Sequence, residues 1–326
     1  MQSEKNLVIL YHGDDWAEKT PLGSAPETRK SFEEFYEFAR ARGINVFRES
    51  IQWFDEDLFT FLKSWAYADK EWTKIEKPLT PTALFDKTSG KYDYQLFTLK
   101  MKISKKIPVI NSPFFRALFD NKFSQYLAFS EYMPNTLLAE NQIQFSAAIK
   151  NIATEKVVVK EIYGSGGKQV VIEEKNALKG LYTSFEYPVI LQDFIETAGI
   201  PDVSEKNSIA DLRLVYVRGS LIYALSRIAK EGSFHTNFHQ GAKALLVPIE
   251  KIPASCLKMA EEIQKKLVFF EDANYSLDFM FTRNGVPFFI EMNTTPGFDL
   301  LRIVGTSEIK EHYYQKLLDS FLQKTI

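Results

Sequence analysis

Residues 275–293, YSLDFMFTRNGVPFFIEMN, constrain the fold more than any other stretch of the chain. Two apolar runs flank Asn284-Gly285, the strongest short hairpin signal. With those two residues as the loop, Phe281 opposes Phe288, Phe279 opposes Ile290 and Leu277 opposes Met292. One face is then apolar on both strands and packs on a core, so the register supports itself. The other face pairs Asp278 with Glu291 and puts Asn293 two residues further along the same side. Carboxylates directly opposed across a ribbon have Cβ atoms about 4.5–5.5 Å apart and repel. For one isolated acidic pair, a solvated edge is the plain reading. With Asn293 in phase and the turn TTPG behind it, a cation between the acids is the better one. A set made only of oxygens suits Mg²⁺ held with a nucleotide phosphate, with Mn²⁺ as the alternative ion.

A second stretch, VVVKEIYGSGGKQVVIEE (157–174), puts a glycine-rich loop just after Lys160. It fails the P-loop pattern, because Gln169 follows Lys168 and Ile162 stands where the first glycine belongs. It fails the dinucleotide fingerprint too, since Gln169 takes the third glycine position. Both schemes need a helix next, whereas KQVVIEE reads as a strand. The loop is therefore expected to be a hairpin tip, a flap whose backbone N–H groups can fold over phosphates.

The rest of the chain supplies context. Its 326 residues allow two domains. Lys plus Arg (40) nearly balances Asp plus Glu (42), which gives no support to a nucleic-acid or membrane-surface partner. The single cysteine, Cys256, excludes an intrachain disulfide and reads as a small buried hydrophobe. The first apolar run is four residues, too short for a signal peptide, so a cytoplasmic location is expected. Up to about residue 112, short strands (7–11, INVFRE, TALFD, IPVINS) alternate with helices, as in an open parallel sheet. The first helix begins with Ser24 and Glu27 as a capping box and Pro26 in the first turn, and Phe32, Phe35, Tyr36 and Ala39 form its apolar stripe. Beyond residue 112 strands crowd together, with VRGS as a hairpin turn, and helices are expected at 115–130, 142–152, 254–268 and 307–324.

Taken together, these pieces resemble the ATP-grasp superfamily, in its glutathione synthetase and RimK-type branch. The carrying segments, in family order, are DNKF, VVVKEIYGSGG, VILQDFIE, DLRLVYV, SRIAKEGSFHTNFHQGA and SLDFMF…FFIEMNTTPGF. The resemblance implies an α/β N-terminal domain (1–112) with a Rossmann-like parallel sheet. An α+β ATP-grasp domain follows, its small lobe (113–190) bearing the flap and its large lobe (191–326) the metal site. It implies that Lys122 and Lys160 reach the nucleotide, that Gly164, Ser165, Gly166 and Gly167 form the flap, and that the main chain around Gln192, Asp193, Phe194 and Ile195 receives adenine. Asp211 would contact the ribose and Arg213 the substrate or a phosphate. Arg227 and Lys230 would face the transferring phosphate, and Asn237 would lie where nucleotide and substrate meet. Asp278, Glu291 and Asn293 would be the metal ligands. The implied activity is ATP-dependent carboxylate–amine ligation through an acyl phosphate, by a homodimer or tetramer acting on a small-molecule or peptide carboxylate and an amine. An ATP-grasp-type kinase and a non-catalytic nucleotide-binding module are the alternatives. The chain departs from the family at His235 and Gln240, where arginine is common, and in the long connection GIPDVSEKNSI; both lie toward the substrate.

Overall fold

The computed structural model describes residues 5–88, 94–164, 170–205, 207–236 and 241–323. The strands of the first region are β1 (Asn6–Tyr11), β2 (Asn45–Ser50), β3 (Phe54–Asp55), β4 (Thr60–Phe61), β5 (Ser64–Ala68), β6 (Glu71–Ile75), β7 (Ala83–Asp86) and β8 (Val109–Ile110). Six of them form one sheet in the order β6-β5-β2-β1-β7-β8, while β3 and β4 pair separately. The pairs β1–β2, β1–β7 and β7–β8 are parallel, as the alternation of strands and helices predicts. Helix Pro26–Arg40 buries Phe32, Phe35, Tyr36 and Ala39. Its expected capping box does not form: Ala25 is the cap residue, and Glu27 pairs with Lys30 and Arg302 instead.

The β5–β6 hairpin has no forecast in the sequence. Tyr67 pairs with Trp72 and Ala68 with Glu71, leaving Asp69-Lys70 as the loop. Both loop residues have positive φ (52° and 67°), the work usually given to Asn-Gly.

A second sheet contains β9 (Thr136–Ala139), β10 (Lys156–Glu161), β11 (Val170–Glu174) and β12 (Val189–Asp193), in the order β11-β10-β12-β9, all antiparallel. The β10–β11 pairing is the expected flap hairpin; its tip, including Ser165, Gly166 and Gly167, lies outside the described residues. The lobe boundary expected at 190 cuts β12, which pairs with both β10 and β9 and so stays in this sheet to Asp193. The helix expected at 115–130 is two, Pro113–Phe119 and Lys122–Phe129. Asn121 starts the second by accepting the N–H groups of Phe123 and Ser124, a side-chain cap that ends the first helix's run.

The third sheet, β15-β14-β13-β16-β17, is antiparallel throughout: β13 (Ala210–Val217), β14 (Ser220–Ile228), β15 (Lys243–Val247), β16 (Asn274–Phe281) and β17 (Pro287–Asn293). VRGS is the tight turn its sequence predicts, with Arg218 and Gly219 at φ 51° and 70°. The Asn-Gly turn differs from expectation. Thr282 N–H bonds Val286 O at 2.9 Å, so the loop is Arg283 to Gly285, three residues, with Gly285 left-handed at φ +76°. Phe279 consequently faces Phe289, and Phe281 faces Pro287. An extra residue, Ile290, then bulges out of β17 and restores the expected pairs Asp278–Glu291 and Leu277–Met292. Two departures of one residue cancel before the acids are reached.

One apolar cluster runs from the parallel sheet (Leu7, Ile9, Phe85) through helix Pro26–Arg40 to Val215, Leu225, Phe298 and the closing helix Ser307–Gln323. Phe298 is its junction, with ring centroids 5.3 Å from Phe35 and 5.8 Å from Tyr313. Burial of each such ring stabilises by about 1.5–3 kcal/mol, so the first sheet is welded to the third. Among the described residues, no helix is long and apolar enough to cross a membrane.

Candidate active site

A cleft of about 1040 Å³ lies between the second and third sheets, closed on another side by residues 24–28 and 297–303. Its floor is a row of charges set by antiparallel register. Asp211 on β13 pairs with Arg227 on β14, Arg213 with Asp278 on β16, and Asp278 with Glu291 on β17. Side chains two apart on one strand share a face, so all of these reach the cleft. Arg213 grips Asp278 with Nε at 2.7 Å and Nη2 at 2.6 Å. Arg227 grips Asp211 likewise (2.8 and 2.6 Å) and reaches Asp278 Oδ2 with Nη2 at 2.7 Å. Thr236 adds its hydroxyl to Asp211 at 2.5 Å. Burial works to raise the Asp278 pKa, but Arg213 and Arg227 outweigh it and hold the group at about 2. For Asp211 burial prevails over Arg227, and its pKa is raised. Arg227 loses charge stability to burial and regains more from Asp211 and Asp278, so it stays ionised.

This geometry revises the argument from the opposed acids. The repulsion between Asp278 and Glu291 is already offset by the two arginines and needs no metal. Coordinating capacity lies chiefly with Glu291, whose nearest cation among the described residues is Lys122 Nζ at 4.0 Å and whose side chain is 27% exposed. Asn293 Oδ1 accepts the Thr295 N–H at 2.9 Å and keeps a lone pair. Asp278 Oδ1 accepts one bond and keeps another. Three oxygen donors facing one cleft fit Mg²⁺, which keeps several waters and takes one or two carboxylates beside phosphate oxygens.

Opposite the floor, Lys160 projects from β10, donating to Gln192 Oε1 at 2.9 Å while Gln192 donates to Thr136 at 2.9 Å. Burial lowers the Lys160 pKa to about 8, although Glu291 pulls the other way. Lys122 opens the helix that Asn121 caps, is buried, and donates to Gly164 O at 2.7 Å. At the hinge, the Asp193 and Phe194 N–H groups are already engaged, by Asn135 O and Thr154 Oγ1. Of the amides expected to meet adenine, Ile195 alone has no acceptor among the described residues. Val158, Ile172, Met280 and Ile290 line the cleft as apolar wall, and the β17 bulge puts Ile290 there beside Glu291. His235 also faces the cleft. Lys230 does not: it is exposed and outside the lining. Asn237, Gln240 and the flap residues Ser165, Gly166 and Gly167 lie outside the described residues.

A family model described as a RimK-like ATP-grasp domain matches residues 122–313. A probable alpha-L-glutamate ligase of Vibrio parahaemolyticus is 28% identical over 182 residues, 54% of this chain and 55% of that protein. One from Halorhodospira halophila is 30% identical over 176 residues, 51% of each. The chain thus spans about half the length of the curated relatives it matches. Among solved structures, the D-alanyl-alanine synthetase A of Vibrio cholerae aligns with TM-score 0.65 at 12% identity, covering 98% of this chain and 99% of that one. A RiPP-associated ATP-grasp ligase from Chryseobacterium gregarium, solved with ADP and a leader and core peptide, aligns with TM-score 0.61 at 17% identity over 97% of each chain. These likenesses establish the ATP-grasp fold across the chain, including the first sheet.

Proposed function

The chain belongs to the RimK-like ATP-grasp family, and from that premise we propose that it is an ATP-dependent ligase joining a carboxylate to an amine. The observation that carries this reading is the cleft itself, which gathers Lys122, Lys160, the hinge, Glu291 and Asn293 around the Asp211–Arg227–Asp278–Arg213 floor. Lys122 and Lys160 supply positive charge to the ATP phosphates, and the Ile195 amide, without an acceptor among the described residues, donates to adenine. Asp278, Glu291 and Asn293 would hold Mg²⁺, with Mn²⁺ as a substitute. Such an ion would offset charge on the ATP phosphates during transfer.

The acid's carboxylate oxygen attacks the γ-phosphorus, the bond to ADP breaks, and an acyl phosphate results. The amine nitrogen then attacks the acyl carbon, loses a proton and expels phosphate, leaving an amide. Each floor arginine spends Nε and Nη2 on the acids. The remaining Nη1 edge of Arg227 is aimed by that grip and stabilises the oxyanion of the tetrahedral intermediate. Enclosure between the sheets protects the acyl phosphate from water.

The test is a pairwise panel of carboxylates and amines read by ADP release and product mass. Glutamate heads the amine set because of the relatives' names. Turnover that requires both partners is the expected result. ADP release with a hydroxyl acceptor alone would replace ligation by phosphorylation.

A further inference from the structure

Past Asn293 the chain turns through residues 294–297, and side chains from distant parts of the sequence hold that turn from behind. Gln125 brackets Met292, donating to its carbonyl at 2.9 Å and accepting its N–H at 2.7 Å. Lys87, just after β7 in the first sheet, donates from Nζ to the carbonyls of Thr295 at 2.9 Å and Pro296 at 2.8 Å. The Lys87 head group stands 5.2 and 5.6 Å from the ring centroids of Phe85 and Phe298, which fixes its approach. Thr295 is also the residue whose N–H orients Asn293 Oδ1. Lys87 therefore grips the carbonyl of the same residue whose N–H aims an expected metal ligand.

We propose that Lys87 is a positioning residue for the metal-binding end of β17, acting through Thr295 and Pro296 on Asn293 and Glu291. The inference rests on the reading of those two as ligands given above. It links the first sheet to the metal: β7 ends in a cation that braces the loop, so any shift of that sheet is felt at the ligands. The brace does not depend on the charge of Lys87. Burial lowers its pKa to about 7, with Arg116 pushing the same way and Asp299 and Asp86 opposing. A neutral amine still offers two N–H groups to the two carbonyls, as an ammonium does with one to spare.

The experiment uses the full chain with Lys87→Met and Lys87→Arg. Hydrogen exchange on the ligand-free protein should show residues 292–297 exchanging faster in Lys87→Met while β13 and β14 are unchanged. Mn²⁺ binding in the presence of ADP, followed by electron paramagnetic resonance, should weaken by about tenfold or more, with metal-free ADP affinity unaltered. Lys87→Arg, which keeps donors for both carbonyls, should restore most of the affinity. If Lys87→Met does not fold, Lys87→Gln, with its shorter amide, takes its place and should weaken Mn²⁺ in the same direction. Unchanged exchange at 292–297, or unchanged Mn²⁺ affinity in a chain that binds Mn²⁺ when Lys87 is present, would overturn the role alone. Failure of the unmodified chain to take up Mn²⁺ with ADP would overturn the metal reading and this role together.

Discussion

On the third sheet Asp211, Arg213, Arg227 and Asp278 neutralise one another through bonds of 2.6–2.8 Å, whereas across the cleft the second sheet presents Lys160 to the neutral amide of Gln192. Asp211, Arg227 and Asp278 on one side and Lys160 and Gln192 on the other are buried, with Arg213 half-buried, so both sets have lost water. The floor recovered that cost within the protein by pairing charges. Lys160 did not, and its pKa of about 8 records the deficit. An anionic ligand is what would complete it. The floor is thus preformed to orient, and the opposite sheet is poised to respond.

The contrast breaks first under Arg227→Ala. That change leaves Asp211 and part of Asp278 uncompensated, and the expected cost is about 3–5 kcal/mol in denaturant unfolding. A loss below about 1 kcal/mol would mean that the floor behaves as an exposed pair. Lys160→Met comes next and should separate the two sheets most clearly. Unfolding stability should stay level or rise, because a desolvated cation is gone, while kcat/KM for ATP falls by about a hundredfold. A stability loss comparable to that of Arg227→Ala would erase the distinction.

The smallest expected effect is with pH. Lys160 is lowered below its ordinary value, so the unfolded chain binds the extra proton between about pH 8 and 10.5. Stability from this group therefore rises with pH across that window. Phosphate binding has the opposite sign, because only the charged amine attracts ATP, and kcat/KM for ATP should fall above about pH 8. Lys160→Arg should move that descent to higher pH. Asp278 titrates far away: its contribution is present above about pH 4 and lost as pH falls through about 2.

What could be read in advance follows the same division. Short-range pattern was legible: the stripe Phe32, Phe35, Tyr36, Ala39, the VRGS turn, and the flap hairpin all rest on spacing within one element. The Asp278–Glu291 pair came out in register only because a three-residue loop and the Ile290 bulge offset each other, and no local pattern forecasts a bulge. Asp69-Lys70 turns without glycine, so the β5–β6 hairpin left no signature. The charge pairing of the floor was not legible. Asp211 and Arg213, expected to meet ribose and substrate or phosphate, also bond to Arg227 and Asp278 across the sheet. Cross-strand register of β13 with β14 and β16 would have shown it, but that register is set by a core hidden from any single strand. Lys87 and Gln125 act over separations of 208 and 167 residues, beyond any motif.

The claim at the centre, carboxylate activation by transfer of phosphate from ATP, is tested most directly by oxygen-18 transfer. With a productive acid–amine pair and the acid's carboxylate labelled, the account predicts one ¹⁸O in the released inorganic phosphate, carried over when the amine expels it from the acyl phosphate. Amide formed with unlabelled phosphate would contradict it.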